Sequence, residues 1–217
     1  TISQIAHAIM IIGFASISTT TRNSSLLIAD LLAHPENFSV LREEQKRITE
    51  HVVKDKTGSP LLSKEDIDKF ENLNSAIRET LRHRSHHLDS WRLTNIERVL
   101  PNGMKIPKGS LMAFDLPSIH FNPENYANGD KMLNIDPFVP LELQYNPFQF
   151  VESKLKASKV TQNFLNFGMG RHACPGRFFA VQEIISLVST LLQKYRIETR
   201  DGKRKEFYTG DLGIPDP

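Results

Sequence analysis

The sequence predicts a mainly α fold with a small β-sheet (α+β), and three observations carry that prediction. Apolar residues recur at helical spacing through the first part of the chain and again near its end. Between Trp91 and Leu116 the texture changes to short apolar runs separated by Pro-Asn-Gly and Pro-Lys-Gly turns. The chain has 217 residues, 39% hydrophobic and 24% charged, enough for one large domain whose core needs no disulfides.

The elements follow in chain order. From Thr1 to Thr21 there is no Lys, Arg, Asp or Glu. Ile5, Ile9, Ile12, Leu26, Leu27, Leu31 and Leu32 keep a helical period up to His34, where Pro35 forces a break. Only Ile9 to Phe14 is continuously apolar, short of the roughly 20 residues of a membrane span. A buried helix of a soluble chain is therefore expected over 1–34. Thr1 is not an initiator residue and no signal segment follows it, so the chain is expected to start inside an element, as a fragment does.

A second helix, charged on one face, is expected from Pro35 to Lys54, ahead of a turn at Thr57-Gly58-Ser59-Pro60. Ser63, Glu65 and Asp66 then read as the start of a helix within 61–84 that carries Ile67, Phe70, Leu73, Ile77 and Leu81. The small sheet is expected over 91–116, with a hairpin turn at Pro101-Asn102-Gly103. The stretch from Pro117 to Lys156, rich in Pro and Asn, is expected to be irregular. A last helix over 175–195 carries Phe178, Val181, Ile184, Ile185, Val188 and Leu192.

Lys and Arg number 27 against 25 Asp and Glu, a net charge of +2, too balanced for a nucleic-acid-binding protein. One cysteine in the chain excludes an internal disulfide framework and any Cys-rich zinc module. Cys174 is thus either an inert buried thiol or a working thiolate. It lies in Phe167-Gly168-Met169-Gly170-Arg171-His172-Ala173-Cys174-Pro175-Gly176. Gly168 and Gly170 permit a tight loop, and Gly176 lets a group approach the backbone closely. Pro175 suits the first position of the following helix, which puts Cys174 at a helix N-terminus, where the dipole favours a thiolate. Such a thiolate suits a soft metal centre, and an axial thiolate is a known haem ligand. The bland reading is a structural cysteine in a Gly-rich turn; the ten-residue pattern outweighs it. His83, His86 and His87 raise the question of zinc, but no thiol is near and Asp89 completes no ligand spacing, so an exposed polar helix end is preferred.

The Phe167–Gly176 segment resembles the haem-binding signature of the cytochrome P450 family, Phe-x-x-Gly-x-Arg/His-x-Cys-x-Gly, in its fungal microsomal form. The resemblance implies that Cys174 is the proximal iron ligand, that His172 contacts a haem propionate, that Phe167 packs beside the ring, and that Gly168 and Gly176 belong to the same cofactor-binding loop. Glu79-Thr80-Leu81-Arg82 resembles the family's Glu-x-x-Arg, whose i,i+3 spacing sets both side chains on one helix face. The resemblance implies a buried structural pair, where a surface pair would be the ordinary reading. Ala15-Ser16-Ile17-Ser18-Thr19-Thr20 is similar to the distal-helix motif, implying a proton-delivery role for Thr19, with Thr20 beside it. Several Ser and Thr inside one helix invite back-bonding and a local distortion. Ser18 stands where the family usually has an acid. Arg92 matches a propionate-binding arginine. Pro147-Phe148-Gln149-Phe150 resembles Pro-x-Arg-Phe, with Gln149 leaving that network one cation short.

The chain resembles the carboxy-terminal portion of a truncated member, from distal helix to post-cysteine helix, with a possible insertion between Asp130 and Tyr145 and a tail at Ile214–Pro217 that approaches a final hairpin. The fold implied is the corresponding part of the P450 fold. The activity implied is a haem-thiolate monooxygenase of fungal secondary metabolism, acting on a terpenoid or polyketide. Its cofactor is haem, its substrate a small hydrophobic organic molecule, and its electrons come from NADPH only through a flavoprotein reductase. The location implied is the endoplasmic reticulum membrane, or the cytoplasm for the chain as it stands. The alternative is an inactive family remnant or an interaction module.

Overall fold

The computed structural model describes residues 1–85, 88–122 and 144–200. The expected Asp130 insertion through position 143, the tail Ile214–Pro217, and His86 and His87 lie outside the described residues. Among these residues the chain forms six helices, α1 (Ile2–Ala33), α2 (Phe38–Thr49), α3 (Lys64–Ile67), α4 (Glu71–His83), α5 (Leu116–His120) and α6 (Arg177–Lys194), and two small ladders. Strand β1 (Leu88–Leu93) pairs antiparallel with β4 (Leu111–Asp115), and β2 (Arg98–Val99) with β3 (Lys105–Ile106).

Helix α1 opens with a capping box between Thr1 and Gln4 and stops one residue before His34, as Pro35 demands. Its expected burial holds only for its last third. Leu26 and Leu31 are 0% exposed, whereas Ile5 is 62%, Phe14 76% and Ile17 71% exposed. Apolar residues ring the helix at Ile9 to Ile12, so no single face is singled out, and no described element covers that stretch. By length and composition α1 is apolar enough to cross a membrane, a test that core helices of soluble proteins also pass. Back-bonding is present, Ser18 Oγ to Phe14 O and Thr19 Oγ1 to Ala15 O at 2.6 Å each, yet α1 runs without interruption.

Helix α2 starts after a 3-10 turn at Pro35–Asn37 and ends at Thr49, five residues short of the expected Lys54. The β-branched Val52 and Val53 lead instead into a turn pinned by Asp55, whose carboxylate accepts from Thr57 N at 2.8 Å and Ser59 N at 2.9 Å. The helix expected from Ser63 is two helices. The Ser63–Asp66 capping box closes a single turn, and Phe70, at ψ 76° and 1% exposed, breaks the backbone to bury its ring before α4 begins. The sheet region begins at Leu88, three residues earlier than expected, and forms two separate ladders. Helix α5 lies inside the region expected to be irregular. Asp115 caps it through Ser118 N at 3.3 Å, and Pro117 sits in its first turn, where a missing N–H costs nothing.

The core gathers Leu27 and Leu31 of α1, Leu41 of α2, Leu73 and Ile77 of α4 and Ile185 and Val188 of α6. Helix α4 is buried from Leu73 to His83, polar residues included. Asn74 Oδ1 accepts from Ala157 N at 2.6 Å and Ser75 Oγ from Phe150 N at 3.0 Å, so α4 holds the segment 144–166 by side-chain hydrogen bonds. His83 is buried at 5% exposure, edge-on to Tyr145 at 5.7 Å, which corrects the expected exposed helix end. Its burial follows from α4 being inserted between α1 and the 144–166 segment. Among the described residues no group of three His, Cys, Asp or Glu is arranged to hold a metal ion.

Candidate functional site

Cys174 ends a loop whose backbone closes on itself: Cys174 N donates to Phe167 O at 2.7 Å, Gly168 N to Leu165 O at 2.8 Å and Ala173 N to Gly170 O at 3.1 Å. Gly168 and Gly170 occupy the left-handed region at φ 69° and 63°, the conformation that this closure requires. Helix α6 begins at Arg177 behind the cap residue Gly176, so Pro175 stands ahead of the helix, a correction to its expected first position. The first i,i−4 bond, Ala180 N to Gly176 O, sets that start. Arg177 Nη1 donates to Cys174 O at 2.8 Å, fixing the peptide behind the thiol. The thiol itself is exposed.

The loop is anchored from two sides. Asn166 Nδ2 donates to Leu81 O at 2.6 Å and to Ser85 Oγ, tying it to the end of α4. Leu165 N donates to His120 Nε2 at 3.0 Å, tying it to α5. A Cβ on Gly168 would stand 3.3 Å from His172 O and 3.6 Å from Ser90 Oγ, so the loop also lies directly against β1. There Ser90, at φ 56°, marks the bulge between Asp89 and Arg92. Gly168→Ala is expected to cost about 1–3 kcal/mol, left-handed strain plus contact with an immobile carbonyl. Gly170→Ala, with nothing within 4 Å of its Cβ, is expected to cost only the strain. Denaturant midpoints of the two variants separate the close contact from the strain.

Inside α4, Glu79 and Arg82 are 0% and 1% exposed and form a two-bond fork, Nε to Oε2 at 2.7 Å and Nη2 to Oε1 at 2.8 Å. Asn146 N donates to Glu79 Oε1 at 3.1 Å, and Gln149 Nε2 donates to Glu79 Oε2. Gln149 thus reaches the network as a neutral donor and leaves one buried anion facing one buried cation.

The family model for cytochrome P450 matches residues 1–217. The chain belongs to the cytochrome P450 family. Among curated proteins it is similar to cytochrome P450 monooxygenase ATR4 of Stachybotrys chlorohalonatus, 34% identical over 94% of this chain and 39% of the relative. It is also similar to cytochrome P450 monooxygenase BOA7 of Botryotinia fuckeliana, 30% identical over 99% of this chain and 41% of the relative. A third, cytochrome P450 monooxygenase ascG of Acremonium egyptiacum, is 29% identical over 88% and 38%. The chain spans about two-fifths of the length of these relatives.

Membership of the P450 family implies haem, and the residues present fit it. The donor is a single exposed sulfur, flanked at Gly176 by a position whose Cβ would come to 3.9 Å from Sγ. Arg92, Arg171 and His172 are exposed cationic or protonatable side chains with no carboxylate partner among the described residues. Trp91, Leu93, Phe178 and Phe179 present large exposed apolar surface in the strand and helix on either side. Phe167 is half-buried against the core.

On α1, Thr19 is exposed, and Thr20 Oγ1 is shielded without a hydrogen-bond partner among the described residues. Neither hydroxyl bonds to the Cys174 loop. Sequence reasoning missed His120 and Asn166, whose partners lie 45 and about 80 positions away along the chain, a separation that leaves no local signal.

Proposed function

We propose that this chain is the haem-thiolate portion of a monooxygenase that inserts one oxygen atom of O2 into a small hydrophobic organic substrate. The observation that carries the reading is the exposed thiol of Cys174, held in a loop locked to α4, α5 and β1. In this reading Cys174 Sγ holds the iron, His172 and Arg92 hold the propionates, Phe167 packs beside the ring, and Gly168 and Gly176 leave room for it. When bound, haem supplies the activation of O2, with thiolate donation favouring O–O cleavage. Thr19 gives its own proton to Ala15 O, so its oxygen is left as an acceptor that orients a proton donor beside the oxygen site, with Thr20 next to it.

Electrons reach the site from NADPH through a flavoprotein reductase, and the endoplasmic reticulum membrane is the place of work. A terpenoid or polyketide of fungal secondary metabolism is the substrate class. Family membership and fungal relatives whose names all say monooxygenase support the monooxygenase itself, and these finer points rest on the resemblance to that family. The exposed apolar stretch of α1 favours a second reading, an inactive remnant or interaction module.

The carbon monoxide difference spectrum of the reduced, haem-loaded chain decides between them. A strongly red-shifted Soret band, absent in Cys174→Ser, is expected. No such band from the unsubstituted chain removes the monooxygenase reading.

A further inference from the structure

Helix α4 has no side-chain cap of its own, because its cap residue is Phe70. Its free amides donate instead to another helix: Asn72 N to Glu44 Oε1 at 2.7 Å and Leu73 N to Glu44 Oε2 at 2.9 Å. Glu44 is 3% exposed. Among the described residues the charged side chain acting on its carboxylate is Arg47 of the same helix, and from α4 Glu71 contributes a backbone N–H. Burial raises the Glu44 carboxyl above the usual range, while the Asn72 and Leu73 amides and Arg47 pull it down. A buried carboxylate is thus kept where two amides and the positive end of α4 need an acceptor.

The far end of the same helix meets the Cys174 loop. Leu81 O accepts from Asn166 Nδ2, and the next residue along, Phe167, supplies the carbonyl that receives Cys174 N. Leu73 and Leu81 lie on one continuous hydrogen-bonded helix, about 12 Å apart along its axis. We propose that Glu44 is a positioning residue for the Cys174 loop, fixing the start of α4 from α2 so that α4 sets where Leu81 O meets Asn166. The functional weight of this inference rests on Cys174 being the haem ligand; the coupling itself does not.

Amide hydrogen exchange on the chain as purified tests it, comparing the unsubstituted chain with Glu44→Gln, Glu44→Ala and Glu44→Asp. Ile48→Ala, which removes a buried core side chain from the same helix, serves as the control. Glutamine is isosteric but offers one acceptor to two amides. Exchange at Asn72 and Leu73 is expected to quicken about tenfold, the counterpart of a lost cap, with the Cys174 amide quickening several-fold in step. Glu44→Asp, with both acceptors retained, is expected to recover part of the protection, and Ile48→Ala to leave the Cys174 amide at its ordinary rate relative to the rest of the core. The proposal is overturned if Asn72 and Leu73 quicken while Cys174 does not, or if Ile48→Ala reproduces the pattern. It is equally overturned if all three Glu44 variants lose protection throughout the chain, which makes Glu44 a general stability residue. A missing Soret band with the exchange coupling intact removes the haem reading and leaves the positioning role.

Discussion

Glu79→Ala is expected to lower stability by about 3–5 kcal/mol, because it strands the Arg82 guanidinium inside the protein without its counter-charge. Both side chains are essentially inaccessible, so water cannot replace the lost carboxylate. The damage extends beyond the pair. Asn146 N and Gln149 Nε2 lose their acceptor together, both at the partly buried edge of the pair. Arg82 retains His120 O at 3.3 Å and the ring of Phe121 at 4.9 Å, neither of which carries a countercharge. Arg82→Ala is expected to cost a similar amount by leaving the anion instead. Glu79→Leu with Arg82→Leu is expected to cost less than either single change, since no uncompensated charge remains. Denaturant midpoints for the set measure this, read at unchanged slope. A single-variant cost below about 1 kcal/mol, the size of a solvated surface pair, contradicts the buried role.

The contrast between what the sequence disclosed and what it concealed follows from the range of each interaction. The break at Pro35, the Gly103 hairpin, the Ser63 cap and the Cys174 loop are local: each depends on residues within a few positions, and each is legible. The split at Phe70 is not, because Phe70 leaves helical geometry to enter a core built from α1, α2 and α6. The burial of α1 was overestimated for a related reason. Periodicity marks Ile5, Ile9 and Ile12 as one apolar series but says nothing about which surface meets them. The same limit governs the site. Cys174 and its glycines announce themselves, whereas Glu44, Asn166 and His120 are ordinary polar residues whose partners are supplied only by the fold.

Arg78→Ala is the second large effect expected, about 3–5 kcal/mol, from the lost packing of a large buried side chain and the loss of its two carbonyl hydrogen bonds. Arg78 is 1% exposed and among the largest fully buried side chains. Its Nη1 donates to Lys156 O at 2.9 Å and to Lys159 O at 2.7 Å, while its guanidinium lies 3.8 Å above the Phe164 ring and 5.1 Å from that of Phe150. The planar group does two things at once that no other side chain does: it stacks on a ring and forks to carbonyls. Arg78→Lys is therefore expected to recover less than half of the loss, and Arg78→Met to recover the volume alone. Phe164 precedes the Cys174 loop by three residues from Phe167, so release of the 156–164 segment also loosens the loop's entry. In Arg78→Ala the amides of Ala157 and Leu165 are accordingly expected to exchange faster than those of α6. If the three exchange alike while global stability falls, Arg78 supports the core as a whole and has no particular hold on the loop.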